Sequence, residues 1–174
     1  MQDNNFSMPD WMESGRLTLY PMTEEELLAL LEEEQDLLPE SVLSPVIRRA
    51  IRSKISKMKK APEEVHPWFT YWRITDKEGN GVGLIGGKGL PGEDGVVELG
   101  YAMAREYRRI GYMTEALFAF LDWLYECPFC TGVRLRILPA NLPSLKTAES
   151  CGFFQTGQED IYLLYLYKFD NYGE

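Results

Sequence analysis

Apolar residues recur at helical spacing over Ala116, Leu117, Phe120, Leu121 and Leu124, and the stretch before them, Val96-Val97-Glu98-Leu99-Gly100-Tyr101-Ala102-Met103, reads as a strand. A strand therefore leads into an amphipathic helix. Residues 69–74 and 82–87 form two further strand patterns separated by the turn Asp76-Lys77-Glu78-Gly79-Asn80-Gly81. A second turn, Pro91-Gly92-Glu93-Asp94-Gly95, feeds residues 96–103. Upstream, Thr23 has N-cap chemistry, and Glu26 completes a capping box ahead of the apolar face Leu27, Leu28, Leu30 and Leu31. A second helical segment follows and is broken by residues 61–67. Residues 133–138 predict another strand, a short helix follows Asn141, and Tyr162, Tyr165 and Tyr167 fall on the last strand. The order strand, two helices, three strands, helix, strand, helix, two strands predicts an α+β fold around a mixed sheet.

With 174 residues, 45% hydrophobic and 13% aromatic, the chain has material for one sizeable core, and a second domain is not expected. Residues 1–15 are expected as a polar arm, ordered only where it docks, residues 16–170 as a single domain and residues 171–174 as a tail. No apolar run approaches bilayer length and the first residues lack a signal pattern, so a cytoplasmic protein without a membrane partner is expected. Monomer and homodimer both remain open. The formal charge of −9 argues against general nucleic-acid binding and favours a cationic partner. That charge is uneven: residues 23–34 hold six glutamates, whereas residues 41–60 hold Arg48, Arg49, Arg52, Lys54, Lys57, Lys59 and Lys60 without an acid. Two neighbouring amphipathic helices with solvated charges account for this, and an RNA- or ribosome-facing basic helix is the alternative.

Three tempting motifs fail on context. Gly81-Val82-Gly83-Leu84-Ile85-Gly86 fits a dinucleotide fingerprint but follows a hairpin turn and opens no helix. Gly87-Lys88 lacks both the first glycine and the Ser/Thr of a phosphate loop, since Val82 and Gly89 stand there. Cys127-Pro128-Phe129-Cys130 has the spacing of a redox pair or half a zinc site, yet it follows a helix, and only Cys151 and His66 remain as further ligands. Reduced structural thiols and no metal site are expected.

The junction Arg108-Arg109-Ile110-Gly111-Tyr112-Met113-Thr114 is built to hold an anion. It combines unpaired N–H groups at a helix start, the positive end of the helix dipole, a glycine permitting close approach, and two guanidinium groups. This strand, its Arg-x-x-Gly-x-small loop and its helix resemble the acetyl-CoA-binding core of the GNAT superfamily of N-acetyltransferases. Asn141-Leu142-Pro143-Ser144 and the terminal Cys151-Gly152-Phe153 resemble the family's Asn-x-x-Ser helix and Gly-Phe. The start, Arg16-Leu17-Thr18-Leu19-Tyr20-Pro21-Met22-Thr23, is similar to the branch containing ribosomal-protein N-terminal acetyltransferases. Met113 departs from the Gly or Ala usual at the loop's last position, implying a displaced phosphate or a side chain turned away.

The resemblance implies a mostly antiparallel sheet and transfer of acetyl from acetyl-CoA to a primary amine of a small molecule or peptide, a protein N-terminus among the options. A non-catalytic acyl-CoA-binding or sensing domain and a ribosome-associated interaction module are the alternatives. By position, Tyr101, Ala102 and Met103 supply backbone groups to the pantetheine arm, Arg108 to Thr114 hold the pyrophosphate, and Asn141 and Ser144 complete the cofactor site. Glu98 is the candidate base or an orienting residue, and Ser144 the candidate proton donor to the thiolate or a helix cap. The family's general-acid tyrosine falls on Ala148, leaving Tyr162, Tyr165 and Tyr167 as spare phenols.

Overall fold

Residues 6–170 are described by a computed structural model. The chain runs through β1 (Met12–Glu13), β2 (Leu17–Pro21), α1 (Glu24–Leu30), α2 (Pro45–Lys59), α3 (His66–Phe69), β3 (Trp72–Asp76) and β4 (Gly81–Gly87). It continues through β5 (Val96–Met103), α4 (Tyr112–Tyr125), β6 (Gly132–Ile137), α5 (Leu142–Ser150), β7 (Phe154–Glu159) and β8 (Tyr162–Lys168). The strands form one sheet in the order β1-β2-β3-β4-β5-β6-β8-β7. Every neighbouring pair is antiparallel except β5 and β6. That pair is parallel because α4 carries the chain back across the sheet between them.

Strand alternation divides the core between the two faces of this sheet. Trp72, Ile74, Val97 and Leu99 pack with Leu117, Phe120 and Leu124 of α4 on one face. On the other, Leu84 and Tyr71 pack with Leu27 and Leu30 of α1 and with Ile51, Ile55 and Met58 of α2. The capping box expected at Thr23 is present, its hydroxyl accepting from Glu26 N–H and Glu26 accepting from Thr23 N–H, each at 3.1 Å. Helix α2 starts with Ser44 as N-cap and Pro45 in its first turn, and buries Ile51, Lys54, Ile55 and Met58 at i, i+3, i+4 and i+7.

The described part of the N-terminal segment is docked: Met8 and Met12 are buried, and Phe6 meets Trp123 edge-on at 4.3 Å. Strand β1 lies within it and adds an edge pairing that two residues are too few to announce by period. The strand expected from residue 69 begins instead at Trp72, because residues 66–69 form one helical turn closed by Thr70 N–H to His66 C=O. The glycines of the false dinucleotide motif sit in β4 for lack of space. A Cβ on Gly83 would stand 2.6 Å from the Ala102 carbonyl oxygen, and one on Gly86 would collide with that of Thr70. Residues 1–5 and 171–174, including the expected tail, lie outside the described residues.

Candidate active site

Strands β5 and β6 run together only as far as Leu99 and Leu135. Beyond that point β5 stays with β4 up to Met103, paired with Gly83, while β6 stays with β8 up to Ile137, paired with Leu163. A wedge opens between them. Hydrogen bonds from Lys88 N–H to Glu98 C=O (3.0 Å) and from Ala104 N–H to Val82 C=O (2.8 Å) fix which β5 groups face β4. Since backbone groups alternate, Ala102 spends its pair on Leu84, and Tyr101 and Met103 turn theirs to the wedge. Ala102, expected to serve beside them through its backbone, is therefore committed to the sheet. The Met103 carbonyl accepts from Arg108 Nε at 3.2 Å, which folds the following loop back over the strand end.

In that loop Arg109 (φ 67°) and Gly111 (φ 84°) both take left-handed backbone, at a cost on the order of 1 kcal/mol for the arginine. Gly111 is the N-cap of α4 and brings no side-chain cap. The N–H groups of Tyr112, Met113 and Thr114 consequently have no hydrogen-bond partner among the described residues. The Met113 side chain is buried in the core, so the departure from a small residue leaves the surface of the loop clear.

Arg16 was legible only as the start of the first strand, but in the fold it clamps this loop. Its Nη2 donates to the Ile110 carbonyl at 2.8 Å and its Nε to Glu115 Oε2 at 2.8 Å, and its guanidinium lies 4.7 Å from the centre of the Tyr112 ring. Glu115 Oε1 also accepts from Arg16 N–H (2.7 Å) and the Ser14 hydroxyl (2.8 Å). Burial raises the Glu115 pKa, but these donors outweigh it and hold the carboxyl below its ordinary range.

Across the wedge, Asn141 caps α5 by accepting from Ser144 N–H at 3.3 Å, and the Tyr101 phenol donates to the Ser144 carbonyl at 3.1 Å. Ser144 is thus held at both backbone groups, while its hydroxyl has no hydrogen-bond partner among the described residues. Burial pushes the Tyr101 phenol far above its ordinary pKa, although the Ser144 hydrogen bond opposes this, so it acts as a strut. Ala148 is fully buried, which leaves no room for a general acid at that position. Of the spare phenols, Tyr165 is buried in the core and Tyr167 packs on Phe153 and Phe169, whereas Tyr162 reaches the cavity beneath the Arg136 guanidinium.

A cavity of about 910 Å³ joins these parts. It is lined by Arg108, Arg109, Thr114, Ser144 and Lys146, and by Val46, Ile47 and Ala50 of α2 with Tyr71 and Lys88. Gly100, where β5 leaves β6, also lines it, and a Cβ there would meet open space. Glu98 does not line the cavity: its carboxylate is paired with the Lys88 ammonium, a partner two strands' register brings to it and spacing could not reveal. A separate depression of about 630 Å³, between the N-terminal segment and α4, contains none of the expected site residues. Burial raises the thiol pKa of Cys127, that of Cys151 to about 11 and that of Cys130 to about 12, which suppresses thiolate chemistry. The described residues contain no cluster of three or more His, Cys, Asp or Glu able to hold a metal ion.

The wedge between two adjacent parallel strands thus faces an uncapped helix start. Residues 16–154 match the family described as Acetyltransferase (GNAT) domain, and the chain belongs to that family. It is 30% identical over 102 residues to the uncharacterized N-acetyltransferase YjdG of Bacillus subtilis. That match covers 57% of this chain and spans 60% of the relative's length. RimJ of Mycobacterium smegmatis, solved in complex with a CoA disulfide, superposes with a TM-score of 0.67 at 19% identity, covering 95% of this chain and 90% of that one. A ribosomal-protein-S5-alanine acetyltransferase from Vibrio fischeri gives 0.64 at 16% identity, covering 94% and 99%. These two share the fold. Among the described residues, no helix is long and apolar enough to cross a membrane.

Proposed function

We propose that this chain is an acetyl-CoA-dependent N-acetyltransferase acting on a primary amine. The supporting observation is the convergence, in one cavity, of the open β5 edge, the uncapped α4 N-terminus and the unpartnered Ser144 hydroxyl. The residues present fit the donor. The N–H groups of Tyr112, Met113 and Thr114, with Arg108 and Arg109, would hold its pyrophosphate, and Gly111 keeps the approach clear. The wedge-facing backbone of Tyr101 and Met103 would pair with its amide-bearing arm in the manner of an added strand. Bound acetyl-CoA supplies the thioester whose acetyl group passes to the acceptor.

The chain's own residues have three tasks. They must orient the amine, remove its proton and provide for the departing sulfur. Ser144, fixed by Asn141 and Tyr101, presents a hydroxyl that can hydrogen-bond the departing thiolate and pass it a proton while taking one from solvent. Glu98 stands behind the cavity-lining Lys88 and would take the amine proton only where the Lys88 ammonium gives up the ion pair. We further infer a cytoplasmic enzyme, with a protein N-terminus among its acceptors; the likeness to RimJ and the Vibrio fischeri enzyme supports that branch through fold alone.

Turnover of acetyl-CoA with a panel of primary amines, read as free thiol, tests the proposal. Glu98→Gln should keep acetyl-CoA affinity and lower turnover by about two orders of magnitude, the loss shrinking as pH rises and the amine arrives deprotonated. Acetyl-CoA binding without turnover on any amine would favour a sensing domain.

A further inference from the structure

Two lysines line the cavity that would hold acetyl-CoA, Lys88 and Lys146, and their surroundings differ. Lys146 has no hydrogen bond or ion pair among the described residues. Lys88 is paired with the carboxylate of Glu98, the group proposed above for an acceptor's proton. Lys54, on the neighbouring helix, is buried and spends its ammonium on the carbonyls of Gly87 and Phe69. Lys88 thus brings to the cavity a primary amine with a carboxylate already in contact, the two groups that acetylation of an amine needs from the protein side.

Strand register sets this pair beside the open part of β5. Gly86 stands opposite Gly100 and Gly87 opposite Leu99, and the bond from Lys88 N–H to Glu98 C=O carries the ladder one residue further. Lys88 is therefore opposite Glu98 and diagonal to Gly100, with all three on one face of the sheet. The phosphate loop meets β5 at Met103, whose carbonyl accepts from Arg108. From Met103 back to Gly100 is about 10 Å of strand, so an arm laid from the loop along the wedge-facing edge leads toward Gly100, where a Cβ would meet open space. The Lys88 side chain is half exposed, so changing it disturbs no core packing.

We propose that Lys88 is a self-acetylation site, taking the acetyl group of bound acetyl-CoA onto its own amine. This rests on the acetyltransferase reading. The Lys88 nitrogen forms a bond to the thioester carbonyl carbon, and the carbon–sulfur bond breaks with its electron pair left on sulfur. Two protons leave the nitrogen as the ammonium becomes an amide. The first passes to Glu98 and on to solvent before the attack, and the second is taken up by the sulfur, giving the free thiol. The product is a neutral amide that cannot pair with a carboxylate, so the same event frees Glu98 for an acceptor amine.

Binding of acetyl-CoA is measured first by calorimetry; its absence overturns the acetyltransferase reading and this inference with it. Protein incubated with acetyl-CoA and no acceptor should gain the mass of one acetyl group, located on Lys88 by peptide mapping, with a rate constant independent of protein concentration. Lys88 should be modified at least about 30-fold faster than Lys146, the cavity lysine without a carboxylate. Glu98→Gln should still bind acetyl-CoA and modify Lys88 at least about 30-fold more slowly, and Lys88→Arg should bind it and gain no acetyl group over the same time. Binding with Lys88 left unmodified, similar rates at Lys88 and Lys146, a rate constant that scales with protein concentration, or a Glu98→Gln protein modified as fast as wild type overturns the inference and leaves the acetyltransferase reading standing.

Discussion

Arg16 and Glu115, 99 residues apart in sequence, brace the loop at the start of α4 from outside the cavity. The Arg16 side chain is about half exposed, so the pair contributes little to global stability, and its value lies in fixing Ile110 and Tyr112. Arg16→Ala should weaken coenzyme A binding about tenfold with a melting temperature changed by only a few degrees. Glu115→Gln should do nearly the same, and the double variant should be no worse than either. Additive losses in calorimetry would show that the two act separately. Because the Glu115 pKa is lowered in the fold, the clamp is present above the ordinary carboxylate range and lost as pH falls through that lowered value. The gap between wild type and Arg16→Ala should therefore close only at the acid end.

Gly100 offers a cleaner block. No protein atom lies within 4 Å of where its Cβ would be, and its backbone is compatible with a strand residue. Gly100→Val should fold normally, since a β-branched residue suits β5, yet lower turnover at least about 100-fold by filling the cavity beside the open β5 edge. A variant that turns over normally would place the reaction elsewhere.

Ser144 and Tyr101 separate chemistry from positioning. Ser144→Ala should lower kcat by about 10- to 100-fold while acetyl-CoA affinity stays within about threefold. Tyr101→Phe removes one hydrogen bond to the Ser144 carbonyl and should cost about 1 kcal/mol in stability, with a smaller kcat loss. If Ser144→Ala changes affinity and not kcat, the serine is only a part of the α5 cap.

How far the sequence reveals this arrangement depends on the distance over which each signal acts. The capping box at Thr23, the strand-to-helix junction and the Asn141 cap are local devices, and each stands where its spacing puts it. That Gly81 to Gly86 is no nucleotide loop is equally local, because no helix follows; the close backbone contacts that demand those glycines exist only in the folded sheet. Lys88 meeting Glu98 depends on β4–β5 register, and Arg16 meeting Glu115 on the packing of β2 near α4, so neither had a signature along the chain. Ala102 turned to β4 for the same reason: its parity is set by pairing, which composition does not encode.

Lys54 links stability to pH. Its ammonium donates to the carbonyls of Gly87 (2.6 Å) and Phe69 (3.1 Å) over the Tyr71 ring, pinning α2 to the end of β4. Burial, with Lys57 and Lys88 nearby, lowers its pKa to about 7 from 10.5. The unfolded chain therefore binds more protons between those values, and this group's contribution to stability grows as pH rises through the window and is lost as pH falls toward 7. In denaturant melts, the advantage of wild type over Lys54→Met should widen from pH 7 to about pH 9.5. A constant difference would show that Lys54 stays fully charged in the fold.

The central claim is that the α4 N-terminus and the β5–β6 wedge form a site for acetyl-CoA. Calorimetric titration with acetyl-CoA of wild type and Gly111→Trp, checked for equal folding by circular dichroism, tests it most directly. Wild type should bind with a micromolar dissociation constant, and Gly111→Trp, whose side chain strains the left-handed position and pushes Arg16 off the loop at the helix start, at least about 30-fold more weakly. No binding by wild type at millimolar acetyl-CoA, or equal binding by both proteins, would contradict it.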